Sequence, residues 1–152
     1  MTVSFENRTV IGASISLVFD LALDIDAHVE SQARSRERAV GGVTSGKIGL
    51  GEQVTWRAVH FGIPFKMTSK VTELERPNRF VDEQVSGPFR TFRHEHCFEP
   101  LGRETMMVDR IEFDAPLGAV GRGVERVVLA RYLRKLIRER GLFLKQLAEQ
   151  GA

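Results

Sequence analysis

The sequence predicts an α+β fold: a curved antiparallel sheet of about seven strands wrapped around one long carboxy-terminal helix, with two short helices after the first strand. Three observations predict it. Residues 52–113 alternate apolar and polar side chains in segments separated by turn residues, as hairpin-connected strands with one dry and one wet face do. From about Val120 to Gln150 the period becomes helical, with Val120, Val124, Leu133, Phe143, Leu144 and Leu147 on one stripe. A helix of that length needs a broad apolar surface to lie on, and the sheet supplies one.

The chain has 152 residues, which suits one domain with one sizeable core. Its 42% hydrophobic and 28% charged residues are ordinary for a globular protein and argue against the disordered and membrane classes. The net charge is only +2, so a pI of about 9.0 reflects a small excess of Arg and nucleic acid is not an expected partner. A single cysteine, Cys97, rules out an internal disulfide. The first residues carry no apolar signal core, and no apolar run approaches the roughly 20 residues of a membrane helix. The expectations are a cytoplasmic protein, no membrane insertion, no cofactor and no metal. A homodimer stays open, with no surface patch to nominate.

Val3 to Ala13 alternates and reads as the first strand. Ser14 or Ser16 caps a short helix built on Leu17, Val18, Phe19, Leu21 and Leu23. Asp24 to Glu30 forms a second helical turn set against it. Arg34 to Val43 reads as the second strand, and Gly41, Gly42, Gly46, Gly49 and Gly51 as turns and bends without phosphate-loop spacing. Glu52–Phe61 and Phe65–Leu74 are the next strands, joined by Phe61-Gly-Ile-Pro64. Val54, Trp56, Ala58 and His60 then share an inner face with Phe65, Met67, Ser69 and Val71. Glu75-Arg-Pro-Asn78 turns the chain into three strands, Phe80–Ser86, Thr91–Phe98 and Thr105–Phe113. Ala115-Pro-Leu-Gly118 ends the last of these, and Gly141 is read as a place where the long helix bends.

The last three strands carry the chemistry. One face of the middle strand holds Phe92, His94, His96 and Phe98; the other holds Arg93, Glu95 and Cys97. Burying two imidazoles and carboxylates without partners costs several kcal/mol, on the order of 2–7 for a neutral polar group, so this face is read as the lining of a ligand cavity. Simple registers set Phe98 against Thr105, His96 against Met107, His94 against Asp109 and Phe92 against Ile111. They also place Gln84 beside His94 and Asp82 beside His96. The result is a polar patch of Asp82, Gln84, His94, His96 and Asp109 among Phe80, Phe92, Phe98, Met107 and Ile111. Trp56, His60 and Met67 point toward the same space. Arg140 on the helix either faces the sheet, taking Asp109 or Asp82 as its acidic partner, or lies in a solvated stripe.

With these residues in view, the chain resembles the START-like, or SRPBCC, superfamily, in its bacterial polyketide cyclase/dehydrase and lipid-transport branch. The resemblance rests on Phe80-Val-Asp82, Gly87-Pro-Phe89, Phe92-Arg-His94, His96, Phe98, Thr105, Asp109, Pro116-Leu-Gly118 and Arg140. It implies a helix-grip fold, in which the sheet wraps the terminal helix over a deep apolar cavity. The superfamily includes hydrophobic-ligand carriers, ring-closing enzymes and coenzyme-Q-binding proteins, and shared fold does not choose among them.

The polar patch admits three readings. It is a network that satisfies itself, or a set of fixed groups orienting a hydrophobic ligand, or a His–carboxylate base for dehydration and ring closure, with His94, His96 and Asp109 as the candidates. Two histidines on one strand face with two Asp are too common a pattern to indicate a metal. Trp56 is read as packing, His28 as a surface residue and Tyr132 as either a cavity phenol or packing. Cys97 faces away from the histidines, which disfavours a Cys–His nucleophile. The reading taken is a binding protein for a small hydrophobic or aromatic molecule: a lipid, quinone or polyketide. The alternatives are a cyclase/dehydratase and a regulatory module with a filled interior.

Overall fold

The computed structural model describes residues 2–115 and 122–151, with side chains in the last helix from Val127 onward. Pro116-Leu-Gly118, Val120, Gly121 and the side chain of Val124 lie outside the described residues. The elements run β1 (Thr2–Ile11), α1 (Ile15–Ala22), α2 (Ile25–Ser31), β2 (Arg38–Gly42), β3 (Gln53–His60), β4 (Ile63–Glu75), β5 (Arg79–Ser86), β6 (Thr91–Leu101), β7 (Glu104–Asp114) and α3 (Arg122–Gln150). The seven strands form one sheet in the order β1-β7-β6-β5-β4-β3-β2. Every neighbouring pair is antiparallel. β2 to β7 form a meander, and β1 closes against β7 from Thr2↔Asp114 to Ile11↔Thr105. This is the helix-grip architecture.

Local chemistry explains the elements. Ser14 caps α1, its Oγ accepting from the Leu17 amide at 3.4 Å, and Asp24 caps α2 through the Ala27 amide at 3.1 Å. β2 is shorter than the expected Arg34–Val43, because Ala33–Ser35 closes into a 3₁₀ turn. There the Ser35 amide and hydroxyl both donate to the Gln32 carbonyl, at 3.1 and 3.0 Å, which removes the amide from any ladder.

The β3–β4 hairpin is also tighter than expected. Phe61 and Gly62 both take positive φ, 54° and 74°, so His60 pairs with Ile63 across a two-residue turn. The β6–β7 turn is likewise only Gly102-Arg103, and Phe98 pairs with Met107 rather than Thr105. In the β5–β6 pair Asp82 stands opposite His94, so Gln84 does not. Both registers slip by two residues, one full side-chain period, so every residue keeps the face assigned to it.

On the outer face a ladder of charges crosses the strands: Glu95 receives Arg79 at 2.9 Å and Arg110 at 3.1 Å, and Arg110 reaches Glu6 at 3.0 Å. On the inner face Phe19 of α1 wedges edge-on between Phe80 and Phe98, with ring centroids at 5.6 and 5.3 Å. α3 packs against β1, α1 and α2 rather than across the middle of the sheet. Gly141 does not interrupt α3, which runs on to Gln150. It is the contact point with β1, where a Cβ would come within 2.6 Å of Thr9 Oγ1. No described helix is both long and apolar enough to cross a membrane.

Alanine at position 141 should therefore destabilise the protein. Helix propensity favours the change by about 1 kcal/mol, but overpacking typically costs about 1–3 kcal/mol. The urea midpoint of Gly141→Ala should fall and should recover in Thr9→Ala/Gly141→Ala. A higher midpoint in the single variant would contradict the close approach.

Candidate functional site

Three adjacent strands and the last helix converge on one cluster. β5 supplies Asp82, β6 supplies His94 and His96, β7 supplies Asp109 and α3 supplies Arg140. The Cα register sets Asp82 against His94 and Asp109 against His96, but the side chains pair diagonally. His94 Nε2 donates to Asp109 Oδ1 at 2.8 Å, and His96 Nε2 donates to Asp82 Oδ2 at 2.7 Å. The two imidazoles stack at 3.6 Å with 19° between planes, and Phe80 covers the other side of His96 at 4.0 Å. Arg140 faces the sheet. Its Nη1 lies 3.4 Å from Asp109 Oδ1 and its Nη2 donates to the Ala22 carbonyl at 3.2 Å. Ala22 ends α1, where carbonyls lack helical partners, so one guanidinium ties α1, α3 and β7 together.

Burial sets the electrostatics. Asp109 is fully buried, and His96 and Arg140 are each 3% exposed. Burial alone would raise the Asp109 carboxyl, yet the hydrogen bond from His94 and the charge of Arg140 hold it below the usual range. Burial works against the Asp82 anion as well, but the His96 hydrogen bond and the nearby positive groups bring it down to about 2. His96 goes the other way from a typical paired histidine. Burial and the adjacent His94 push it down to about 3, against the opposing pull of Asp82. It is therefore a neutral donor. Its Nδ1 and Asp109 Oδ2 have no hydrogen-bond partner among the described residues.

The cluster lies where two hollows meet. A cavity of about 270 Å³ extends from it toward the β3–β4 and β5–β6 turns and the start of α3. Trp56, Ala58, Phe65 and Met67 wall it on the β3–β4 side, and Phe89 and Phe92 on the β5–β6 side. Leu129, Leu133, Leu136 and Ile137 of α3 roof it, while Asp82, His94, Ser69 and Arg140 stand among the polar groups of its lining. A second hollow of about 70 Å³ continues past His96 and Phe80 toward α1 and α2. Also in the lining of the larger cavity, His60 Nδ1 and the Tyr132 hydroxyl share a 2.6 Å hydrogen bond. His28 stacks on Trp56 at 4.3 Å and donates to Glu37 at 2.5 Å.

Of the residues read from the sequence as cavity-lining, Trp56, His60, Met67, Asp82, Phe92, His94 and Arg140 border the larger hollow, and Phe80 and His96 the smaller. Asp109 lies beneath His94. Phe98, Met107 and Ile111 are core residues instead, because α1 and α3 cover the β6–β7 end of the inner face. Gln84 leaves the polar patch, since its amide closes the β5–β6 turn, donating to the Phe89 carbonyl at 2.8 Å and accepting from its amide at 3.2 Å. His28 lines the cavity rather than the surface, and Trp56 is a stacking partner as well as packing. Glu37 and Gln32 also line it. No motif marked them: Glu37 lies in the stretch that reads as the second strand, and Gln32 falls between that stretch and the second helical turn.

Asp82, His94 and His96 place potential ligand atoms within 4.8 Å of one another. That set fits a metal ion poorly. Two nearly parallel rings 3.6 Å apart direct their in-plane lone pairs side by side instead of toward one point, and Arg140 adds positive charge.

A family model described as polyketide cyclase / dehydrase and lipid transport matches residues 2–149. No curated protein matches by sequence. Among solved structures the chain is similar to TTHA0849 from Thermus thermophilus, at 17% identity and a TM-score of 0.82 with 99% of each chain covered. It is also similar to the ZhuI aromatase/cyclase from Streptomyces sp. R1128, at 15% identity and a TM-score of 0.81 over 99% of this chain and 95% of that one. A START superfamily protein from Mycobacterium smegmatis aligns at 16% identity with a TM-score of 0.71 and 99% of each chain covered.

Stability should fall on mild acidification, and His96 sets the window. Its folded pKa of about 3 lies below the ordinary 6.5, so the unfolded chain takes up the proton first and stability is lost as pH drops below 6.5. His60, also lowered by burial, acts in the same direction. Asp82 adds its own loss only below the ordinary carboxylate value of 3.8. Between pH 7.5 and 5 the His96 contribution amounts to about 2 kcal/mol. Urea midpoints at the two pH values should show a decline that shrinks in His96→Gln, whose amide still donates to Asp82. A flat profile in the parent protein would contradict the buried neutral imidazole.

Proposed function

The chain belongs to the polyketide cyclase / dehydrase and lipid-transport family, and from that membership we propose that it binds a small hydrophobic or aromatic molecule between the curved sheet and α3. The observation that carries the reading is the cavity of about 270 Å³, walled by Trp56, Phe65, Phe92 and the α3 leucines and anchored by a few fixed polar groups. Ligand sites combine these two features: apolar walls contribute affinity, and sparse polar groups set orientation. The volume falls just under the usual range of about 300–1,000 Å³ and suits a compact ring system better than an extended two-chain lipid. Open space of this size also argues against a filled regulatory module, since protein interiors otherwise pack to crystal-like density.

A second reading rests on one specific geometry. Asp109 fixes the tautomer of His94, leaving Nδ1 as the imidazole lone pair, and His94 borders the cavity. This is the arrangement of an oriented general base, and a protein of similar fold is an aromatase/cyclase. His96 is a poor base by comparison, being buried, neutral and committed to Asp82. If the protein is an enzyme, His94 rather than His96 takes the proton.

Native mass spectrometry of the protein as purified should reveal a small-molecule adduct. N-phenyl-1-naphthylamine, a neutral fluorescent probe, should bind saturably, and Leu133→Trp should weaken it by at least about tenfold by occupying the cavity. Binding that is absent, or unaffected by that substitution, would overturn the proposal. With a turned-over substrate in hand, His94→Gln should abolish turnover and spare affinity if the second reading holds.

A further inference from the structure

We infer, resting on the cavity-binding reading above, that the ligand enters with a hydrogen-bond donor at its inner end, a hydroxyl or protonated amine, and that Asp82 selects it against carboxylates. The inference comes from counting which polar capacity around the cavity is already used. His28 and Glu37 hold each other, as do His60 and Tyr132. The Gln32 amide donates to the Leu136 carbonyl, and Ser69 Oγ accepts from Trp56 Nε1, which leaves the Ser69 O–H as a donor on the cavity wall. Arg140 is directed at Asp109 and the Ala22 carbonyl. His94 Nε2 is spent on Asp109.

What remains at the inner end is mainly accepting. Asp82 uses Oδ2 for His96, and its Oδ1 has no partner among the described residues. A quarter of this side chain is open, and it borders both hollows. His94, whose Nδ1 keeps a lone pair when Nε2 donates to Asp109, lines the same cavity. Charge points the same way. Asp82 and Asp109 face a single guanidinium, so a carboxylate ligand would put three negative groups against one positive group. Arg140 has further N–H groups, but Asp109 already meets its charge. A donating head satisfies Asp82 Oδ1 without adding negative charge, and a buried acceptor left unpaired by the wrong head is costly.

The test is a matched set of probes on one ring system: 2-naphthol, 2-naphthoate and 2-naphthylmethylammonium, titrated by calorimetry at pH 7. The naphthol and the ammonium should each bind at least about tenfold tighter than the naphthoate. Asp82→Asn, which keeps the shape and removes the charge, should erase most of that ratio by strengthening naphthoate and weakening the ammonium more than the naphthol. Equal or tighter naphthoate binding by the parent protein would overturn the inference while leaving the cavity reading intact, and that comparison does not depend on the variant folding. An unchanged ratio in a folded Asp82→Asn protein, checked by thermal melting, would remove Asp82 as the selector. Failure of all three probes together with N-phenyl-1-naphthylamine would overturn both readings.

Discussion

The structure depends on keeping one fully buried carboxylate ionised. Asp109 sits at the centre of the inner face with no solvent exposure. An isolated buried charge is prohibitively unfavourable, and losing one partner of a buried pair costs on the order of 3–5 kcal/mol. Asp109 therefore requires both His94 on the neighbouring strand and Arg140 on α3. Arg140 in turn reaches the carbonyl end of α1. One electrostatic requirement thus sets the depth and rotation of the terminal helix and the seat of the first helix.

The cavity follows from how that requirement is met. α3 runs close to β1 because Gly141 removes the side chain that would hold it off, and its next residue inward is Arg140. Placed there, the helix covers the β1–β7 edge, while the inner faces of β3 to β5 remain only partly covered. Apolar side chains from both sides line the gap. The polar cluster occupies its inner end, where close apolar packing would leave charges unmet. Packing and electrostatics together keep the space open.

Within the cluster the two histidines are chemically distinct although they are two residues apart on one strand. His96 lies between Phe80 and His94, buried and neutral, and serves to hold Asp82. His94 borders the main cavity with Asp109 behind it. A binding protein uses this asymmetry to present fixed acceptors to a ligand, and an enzyme uses the same asymmetry to present one base.

Much of this was legible in the chain. Period-two alternation assigned inner and outer faces on β3 to β7, and those assignments survived two register errors because each error equalled one side-chain period. The identities of Asp82, His94, His96 and Asp109 as an inward polar set came from the same parity, since charged groups on an otherwise apolar face must find one another; strand parity could not assign Arg140, a helix residue, and only the packing of α3 turned it toward Asp109. Hairpin length, pairing of β1 with the last strand, the diagonal His–Asp bonds and the exclusion of Gln84, Phe98, Met107 and Ile111 from the cavity were decided only in three dimensions. Those outcomes depend on contacts between residues far apart in the chain, on a turn's φ angles and on which surface a helix happens to cover. A local pattern states which side a residue faces. It does not state what will be waiting there.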